Sequence, residues 1–206
     1  NTQTSLPCMF SHLGKDGYEA SRQPNENLLD VLQRAGLAVL WIDNQSGCKG
    51  LCDRVAHVDT YGLKTPGLCV DGECFDEVML QGLDQRIATL DPARRARGVV
   101  LVLHQMGSHG PAYARRSAPE LKKFTPECHS NALQECSQEE VVNAYDNSIV
   151  QTDAFLGATL HWLEGKQAEF QPAMIYVADH GESLGANNIY LHGLPYAIAP
   201  DVQKHV

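Results

Sequence analysis

The sequence lacks any apolar run long enough to cross a bilayer: its longest, at residues 38–42 and 99–103, fall far short of the roughly 18–20 residues that a membrane-spanning helix requires. It is also short of positive charge. Sixteen Lys and Arg against 25 Asp and Glu give a net charge of −9, so no global field gathers nucleic acid or an anionic membrane surface, and an anionic substrate must be held by a local site. No internal repeat, low-complexity tract or Pro-, Gly- or Ser-rich linker divides the chain. Its 206 residues, 43% apolar and 20% charged, fit one packed α/β domain spanning residues 1–206. It begins at Asn1 with neither an initiator Met nor a basic-then-apolar leader, and the expectation is a fragment truncated at both ends.

Cysteine is present in pattern. Of seven, six stand in three close pairs, Cys48 with Cys52, Cys69 with Cys74 and Cys128 with Cys136, and Cys8 is left over. The spacings do not match those of zinc ribbons, and the intervening residues are turn-like, so three short disulfide loops are expected. Such loops persist in an oxidising compartment, which points outside the cytoplasm.

Three continuous apolar, β-branched-rich runs at 37–42, 98–103 and 173–177 predict strands buried on both faces, hence a mostly parallel sheet. Helical periodicity lies between them: residues 25–35 with Leu28, Leu32 and Ala35 on one face, and residues 75–90 with Met79, Leu83, Ile87 and Leu90. The strongest helical signal starts at Ser137, whose spacing to Glu140 makes a capping box, and runs through Val141, Tyr145, Ile149, Thr152, Leu156 and Leu163. Residues 108–136 predict a long ordered loop.

Open α/β sheets place ligands at the carboxyl ends of their strands. The first run exits into Asp43 and Asn44 and on to Lys49, the second into the string from His104 to Pro111, the third into Asp179-His180-Gly181-Glu182-Ser183. Asp179 and His180 offer a carboxylate oxygen and an imidazole nitrogen suited to zinc, although adjacent polar residues at a strand end also serve as a helix cap and a surface His. Near the start, Thr2, Thr4 and Ser5 could each place a hydroxyl at a helix N-terminus, as a cap or as a metal-activated nucleophile. Spacing alone does not choose among the three.

Several strings together carry a resemblance. Ser5-Leu6-Pro7-Cys8-Met9-Phe10-Ser11, His104-Gln105-Met106-Gly107-Ser108-His109-Gly110-Pro111-Ala112-Tyr113, Phe124-Thr125-Pro126, Asn143-Ala144-Tyr145-Asp146-Asn147, Asp179-His180-Gly181-Glu182-Ser183-Leu184-Gly185 and Tyr190-Leu191-His192-Gly193 resemble, in order over the whole chain, the lipid A phosphoethanolamine transferases. That family includes the mobilised colistin-resistance enzymes. The resemblance implies an alkaline-phosphatase/sulfatase-like sandwich with a central mostly parallel sheet flanked by helices, on the periplasmic face of the bacterial inner membrane. It implies association through an N-terminal membrane domain absent from this chain. It further implies a Thr nucleophile at Thr2, six residues before Cys8, and zinc ligated by Thr2, Asp179 and His180 with a Glu upstream of Asn1. Substrate-side groups fall on His109, His192 and Lys49, and the second and third Cys pairs match family disulfides. The partner of Cys8 is implied to precede Asn1.

The activity implied is transfer of phosphoethanolamine from phosphatidylethanolamine to lipid A, through a phosphothreonine, with polymyxin resistance as the result. Two alternatives stand beside it: a sulfatase- or phosphatase-like hydrolase of the same fold, and a secreted metal- or lipid-binding module without turnover. Sulfatases need Cys or Ser followed at the second place by Pro and at the fourth by Arg, and Met9 stands where that Arg would be.

Overall fold

A computed structural model describes residues 1–21 and 25–204 and divides into two units, Thr2–Gln105 and Asn1 with Met106–Val206. The first unit opens with helices α1 (Thr2–Met9), α2 (Gly14–Ala20) and α3 (Leu28–Arg34). Helix α3 starts three residues later than the periodicity predicts, because Asn27 caps it: its Oδ1 accepts from the Leu29 backbone N–H at 2.8 Å, while Asp30 Oδ2 accepts from the Asn27 N–H at 2.8 Å. The buried face is also turned by one residue from the expected one. Leu29 is buried with Leu32 packed on the same cluster, whereas Leu28 is exposed.

Strands β1 (Ala38–Asp43), β2 (Ala56–Asp59), β3 (Cys69–Val70) and β4 (Glu73–Cys74) follow, then a 3-10 turn at Asp76–Leu80, helices α4 (Leu83–Ala88) and α5 (Pro92–Arg95), and strand β5 (Val99–His104). The parallel sheet has the order β2-β1-β5. The central strand β1 is buried at all six positions, as its unbroken apolar run requires. Both apolar strands run one residue further than expected. Asp43 and His104 stay in the ladder as paired ends of β1 and β5. The predicted helix over 75–90 is broken at Gly82, which takes the left-handed conformation (φ 63°) that glycine tolerates, yet Met79 and Leu83 are buried as expected.

In the second unit, residues 108–136 form a loop with three 3-10 turns ahead of α6 (Gln138–Glu164). The predicted capping box is present: Glu140 Oε2 accepts from the Ser137 N–H at 2.8 Å, and Ser137 Oγ from the Glu140 N–H at 3.3 Å. The buried face matches the predicted one only in part. Ala144, Ser148 and Phe155 are buried along with Val141 and Thr152, but Ile149 is exposed. The cause is polar. Asn147 turns inward, its Oδ1 accepting from Lys123 and Phe124 N–H at 2.7 and 2.9 Å and its Nδ2 donating to Phe124 O at 2.8 Å, while Gln151 Oε1 accepts from the Ala118 N–H at 2.7 Å. These amides tie the loop's backbone to the helix.

A short hairpin of β6 (Ser183–Leu184) and β7 (Tyr190–Leu191) precedes α7 (Asp201–Lys204). The strand expected at 173–177 is absent among the described residues: the segment carries no regular structure, and Ile175 is 92% exposed. β-Propensity reports how well a residue packs on a neighbouring strand, and no ladder partner supplies that here. The third expected exit loop therefore does not follow a strand. All three expected disulfides are formed, Cys48–Cys52, Cys69–Cys74 across β3 and β4, and Cys128–Cys136. Cys8 is a free thiol. No helix among the described residues is long and apolar enough to cross a membrane.

Candidate active site

Hairpin register builds the centre of the second unit. Ser183 pairs with Leu191 and Leu184 with Tyr190 in the antiparallel ladder, so the next pair outward is Glu182 with His192, side chains on one face. His192 Nδ1–H donates to Glu182 Oε2 at 2.7 Å. The other carboxylate oxygen, Oε1, accepts from the Tyr113 hydroxyl. Leu191, the last ladder residue before His192, takes φ 62°, a left-handed value uncommon for a bulky residue. It is held there by Gln203, whose Nε2 donates to Leu191 O at 3.0 Å and to Ser183 Oγ at 2.9 Å.

Two further imidazoles close on His192. The His180 ring lies 3.9 Å from it, centroid to centroid, and the His109 ring meets it edge-on at 5.3 Å. His109 Nδ1 bonds the Gly110 carbonyl at 2.8 Å and His180 Nδ1 bonds the Gly181 carbonyl at 3.0 Å. Carbonyls and carboxylates only accept, so all three rings carry their hydrogen on Nδ1 and keep Nε2 as the lone-pair nitrogen. Burial pulls the His180 pKa below the ordinary histidine value, against the opposing pull of the Gly181 carbonyl and Asp179, and the neighbouring His192 charge lowers it further. A neutral imidazole at neutral pH is the form that binds a metal.

Asp179 Oδ2 stands 3.6 Å from His180 Nε2, a separation two ligands of one ion can span, and the ligand atoms of His180, Glu182 and His192 lie within 4.8 Å of one another. A nitrogen and oxygen donor set of this kind fits zinc. The bond from His180 Nδ1 to a carbonyl is the outer contact that orients a ligating imidazole.

The structure thus brings together four of the expected residues, His109, Asp179, His180 and His192. Thr2 and Lys49 belong to the other unit. Thr2 is buried at the first position of α1, whereas Thr4 is exposed and Ser5 partly so. Lys49 sits in a left-handed turn (φ 53°) beside the Cys48–Cys52 bridge, its Nζ donating to Ser46 O at 2.6 Å and Ser46 Oγ at 2.7 Å. Sequence reasoning missed Glu182 and Tyr113 as site residues. Both lie inside the quoted strings, but only the packing of the 108–136 loop against the hairpin reveals that they meet.

The chain belongs to the sulfatase family, whose model matches residues 1–206. Among curated proteins, phosphoethanolamine transferase EptA of Salmonella typhimurium is 50% identical over 206 residues, covering all of this chain and 37% of that protein. Phosphatidylethanolamine transferase Mcr-1 of Escherichia coli is 41% identical over 213 aligned positions, covering all of this chain and 39% of that protein. Among solved structures, the integral membrane protein lipooligosaccharide phosphoethanolamine transferase A from Neisseria meningitidis is 41% identical with a TM-score of 0.92, again over all of this chain and 37% of that one. The chain therefore spans less than two fifths of the length of these relatives.

Proposed function

We propose that the chain is the catalytic part of a zinc-dependent transferase that moves phosphoethanolamine from phosphatidylethanolamine to a lipid A phosphate. The observation that carries this reading is the cluster of the His109, His180 and His192 rings, with the Asp179 carboxylate 3.6 Å from His180 Nε2, in a chain whose relatives are named phosphoethanolamine transferases. Zinc, held by Asp179 and His180 with Thr2 as a further ligand, would supply the positive charge that lowers the pKa of the Thr2 hydroxyl.

The Thr2 hydroxyl gives its proton to the Nε2 lone pair of His109 or His192 as its oxygen attacks the phosphorus of phosphatidylethanolamine in line. The bond from phosphorus to the glycerol oxygen breaks, and that oxygen leaves as diacylglycerol after taking a proton from an imidazolium Nε2–H of His109 or His192. A lipid A phosphate hydroxyl then gives its proton to the same imidazole as its oxygen attacks the phosphothreonine, the Thr2 oxygen departs and takes that proton, and the enzyme is restored. Two displacements through one covalent intermediate imply ping-pong kinetics. Lys49 serves as a point charge for phosphate. Adding an ammonium group to lipid A reduces its negative charge, which weakens attraction of cationic polymyxins such as colistin. Three disulfides suit an oxidising compartment, and the likeness to an integral membrane protein supports a periplasmic position at the inner membrane.

The test is a full-length protein given phosphatidylethanolamine without lipid A. Peptide mass spectrometry is expected to find phosphoethanolamine on Thr2. Thr2→Ala releases no diacylglycerol, while Thr4→Ala and Ser5→Ala keep the adduct. An adduct on Thr4 or Ser5, or normal turnover by Thr2→Ala, overturns the mechanism, and free phosphoethanolamine released without any adduct favours the hydrolase.

A further inference from the structure

We propose that Tyr113 is a positioning residue for this reaction, acting on His192 through Glu182; the inference rests on the role given to His192 above. Tyr113 lies 69 residues before Glu182, on the far side of α6 in sequence, yet its hydroxyl donates to Glu182 Oε1 while Glu182 Oε2 receives the His192 Nδ1–H. The three groups form one line running out from the core: Tyr113 is 1% exposed, and the side chains of the partly buried Glu182 and His192 are 8% and 14% exposed.

The local packing makes room for that hydroxyl and fixes its ring. Tyr113 meets Tyr145 of α6 edge-on at 5.5 Å and belongs to the cluster with Cys128, Leu133, Val141 and Ala144. A Cβ on Gly110 would fall 2.7 Å from the Tyr113 hydroxyl and 2.5 Å from Leu191 Cδ2, closer than real carbon atoms approach. Glycine at 110 is therefore what lets the loop pass over the phenol. Burial first, and then the Glu182 charge, push the phenol pKa far above its usual value, so the hydroxyl remains a donor.

The consequence reaches the reacting atoms. A carboxylate anchored at Oε1 presents Oε2 in one place, and an acceptor in that place holds the His192 hydrogen on Nδ1 and the lone pair on Nε2. Without the phenolic anchor, the carboxylate gains a rotational freedom about its last torsion, and the imidazole loses a fixed aim. Tyr113 touches no substrate in this account.

The experiment compares Tyr113→Phe, Glu182→Gln and the double variant in the full-length zinc-loaded enzyme. Tyr113→Phe, which keeps the ring packed on Tyr145, is expected to lower kcat by about tenfold to a hundredfold with KM for phosphatidylethanolamine nearly unchanged. Glu182→Gln is expected to lose at least as much, since an amide can donate to Nδ1 and reverse the tautomer. The double variant falls no further than Glu182→Gln. In parallel, 15N spectra of histidine-labelled enzyme, with the His192 signals assigned by their loss in His192→Gln, are expected to show a protonated Nδ1 in the wild type and a mixture of tautomers in Tyr113→Phe. Unchanged kcat in Tyr113→Phe, losses that multiply in the double variant, or a His192 tautomer that ignores Tyr113 each overturn the proposal. An enzyme that transfers nothing while the tautomer still responds to Tyr113 would instead refute the transferase reading and leave the relay standing.

Discussion

Each unit of the chain contains a carboxylate–imidazole pair, and by distance the two are alike: Asp43 with His104 at 2.8 Å and Glu182 with His192 at 2.7 Å, both nearly buried. Their surroundings differ. Asp43 sits at the end of β1 and receives four donors: Trp41 Nε1 at 3.0 Å and His104 Nδ1 at 2.8 Å on Oδ2, and the backbone N–H groups of Gln45 and Gly47 at 2.9 and 3.0 Å on Oδ1. Its carboxylate closes the loop after the strand, and its imidazole partner rests against the core indole of Trp41 at 5.3 Å. Glu182 receives Tyr113 and His192, and beyond His192 lie two more imidazoles and Asp179. A hydrogen-bonded dyad is thus no mark of chemistry by itself. What separates the two is whether a carboxylate's donors end in backbone or lead on to further lone pairs.

The sharpest test of that difference replaces the two histidines in turn. His192→Gln is expected to lower kcat by roughly 10²–10⁴-fold, the range for loss of a general acid or base, with little change in melting temperature. His104→Gln is expected to do the reverse, holding kcat within a few-fold while the protein melts earlier. Equal losses of activity from both variants would erase the distinction.

Next in size is Asp43→Ala, which strands the Trp41 indole, two backbone N–H groups and an imidazole, and is expected to cost about 3–5 kcal/mol in urea unfolding. A cost below about 1 kcal/mol would show that the strand-end loop does not need its carboxylate.

The smallest effect lies in acid. Burial alone would raise the Asp43 pKa, but hydrogen bonds from His104, Trp41 and Gln45, with the His104 charge, bring it from 3.8 down to about 2. A carboxyl whose folded pKa is depressed contributes its stability above the unfolded value and loses it as pH falls through the folded one. The wild type is therefore expected to lose about 2 kcal/mol between pH ~4 and ~2 that Asp43→Asn does not lose. Parallel acid limbs in the two proteins would remove Asp43 as the cause.

Much of the first unit was legible because its two main strands are continuous apolar runs, and β1 is buried on both faces. Strand β2 was not, since its residues Ala56, His57 and Asp59 are exposed and polar or small. The inward face of α6 was legible only in part, for the opposite reason: Asn147 and Gln151 are buried to hold loop backbone, and a hydropathy pattern assigns amides to solvent. At the site, His109, Asp179, His180 and His192 were legible through extended motifs. Tyr113 and Glu182 were not, because their meeting joins an irregular loop to a hairpin whose strands are two residues each, and neither leaves a periodic signature.

That hairpin behaves as a gauge. Its register fixes which residue faces Glu182, while the turn at 185–189 contributes only closure. The turn could be lengthened or rebuilt without moving the imidazole, provided the pairing of Ser183 with Leu191 survives. A slip of a single residue would instead carry the ring to the opposite face of the ribbon. Tolerance to insertion and intolerance to slippage therefore coexist within ten residues, and any redesign of this segment should treat the turn as free text and the ladder as punctuation.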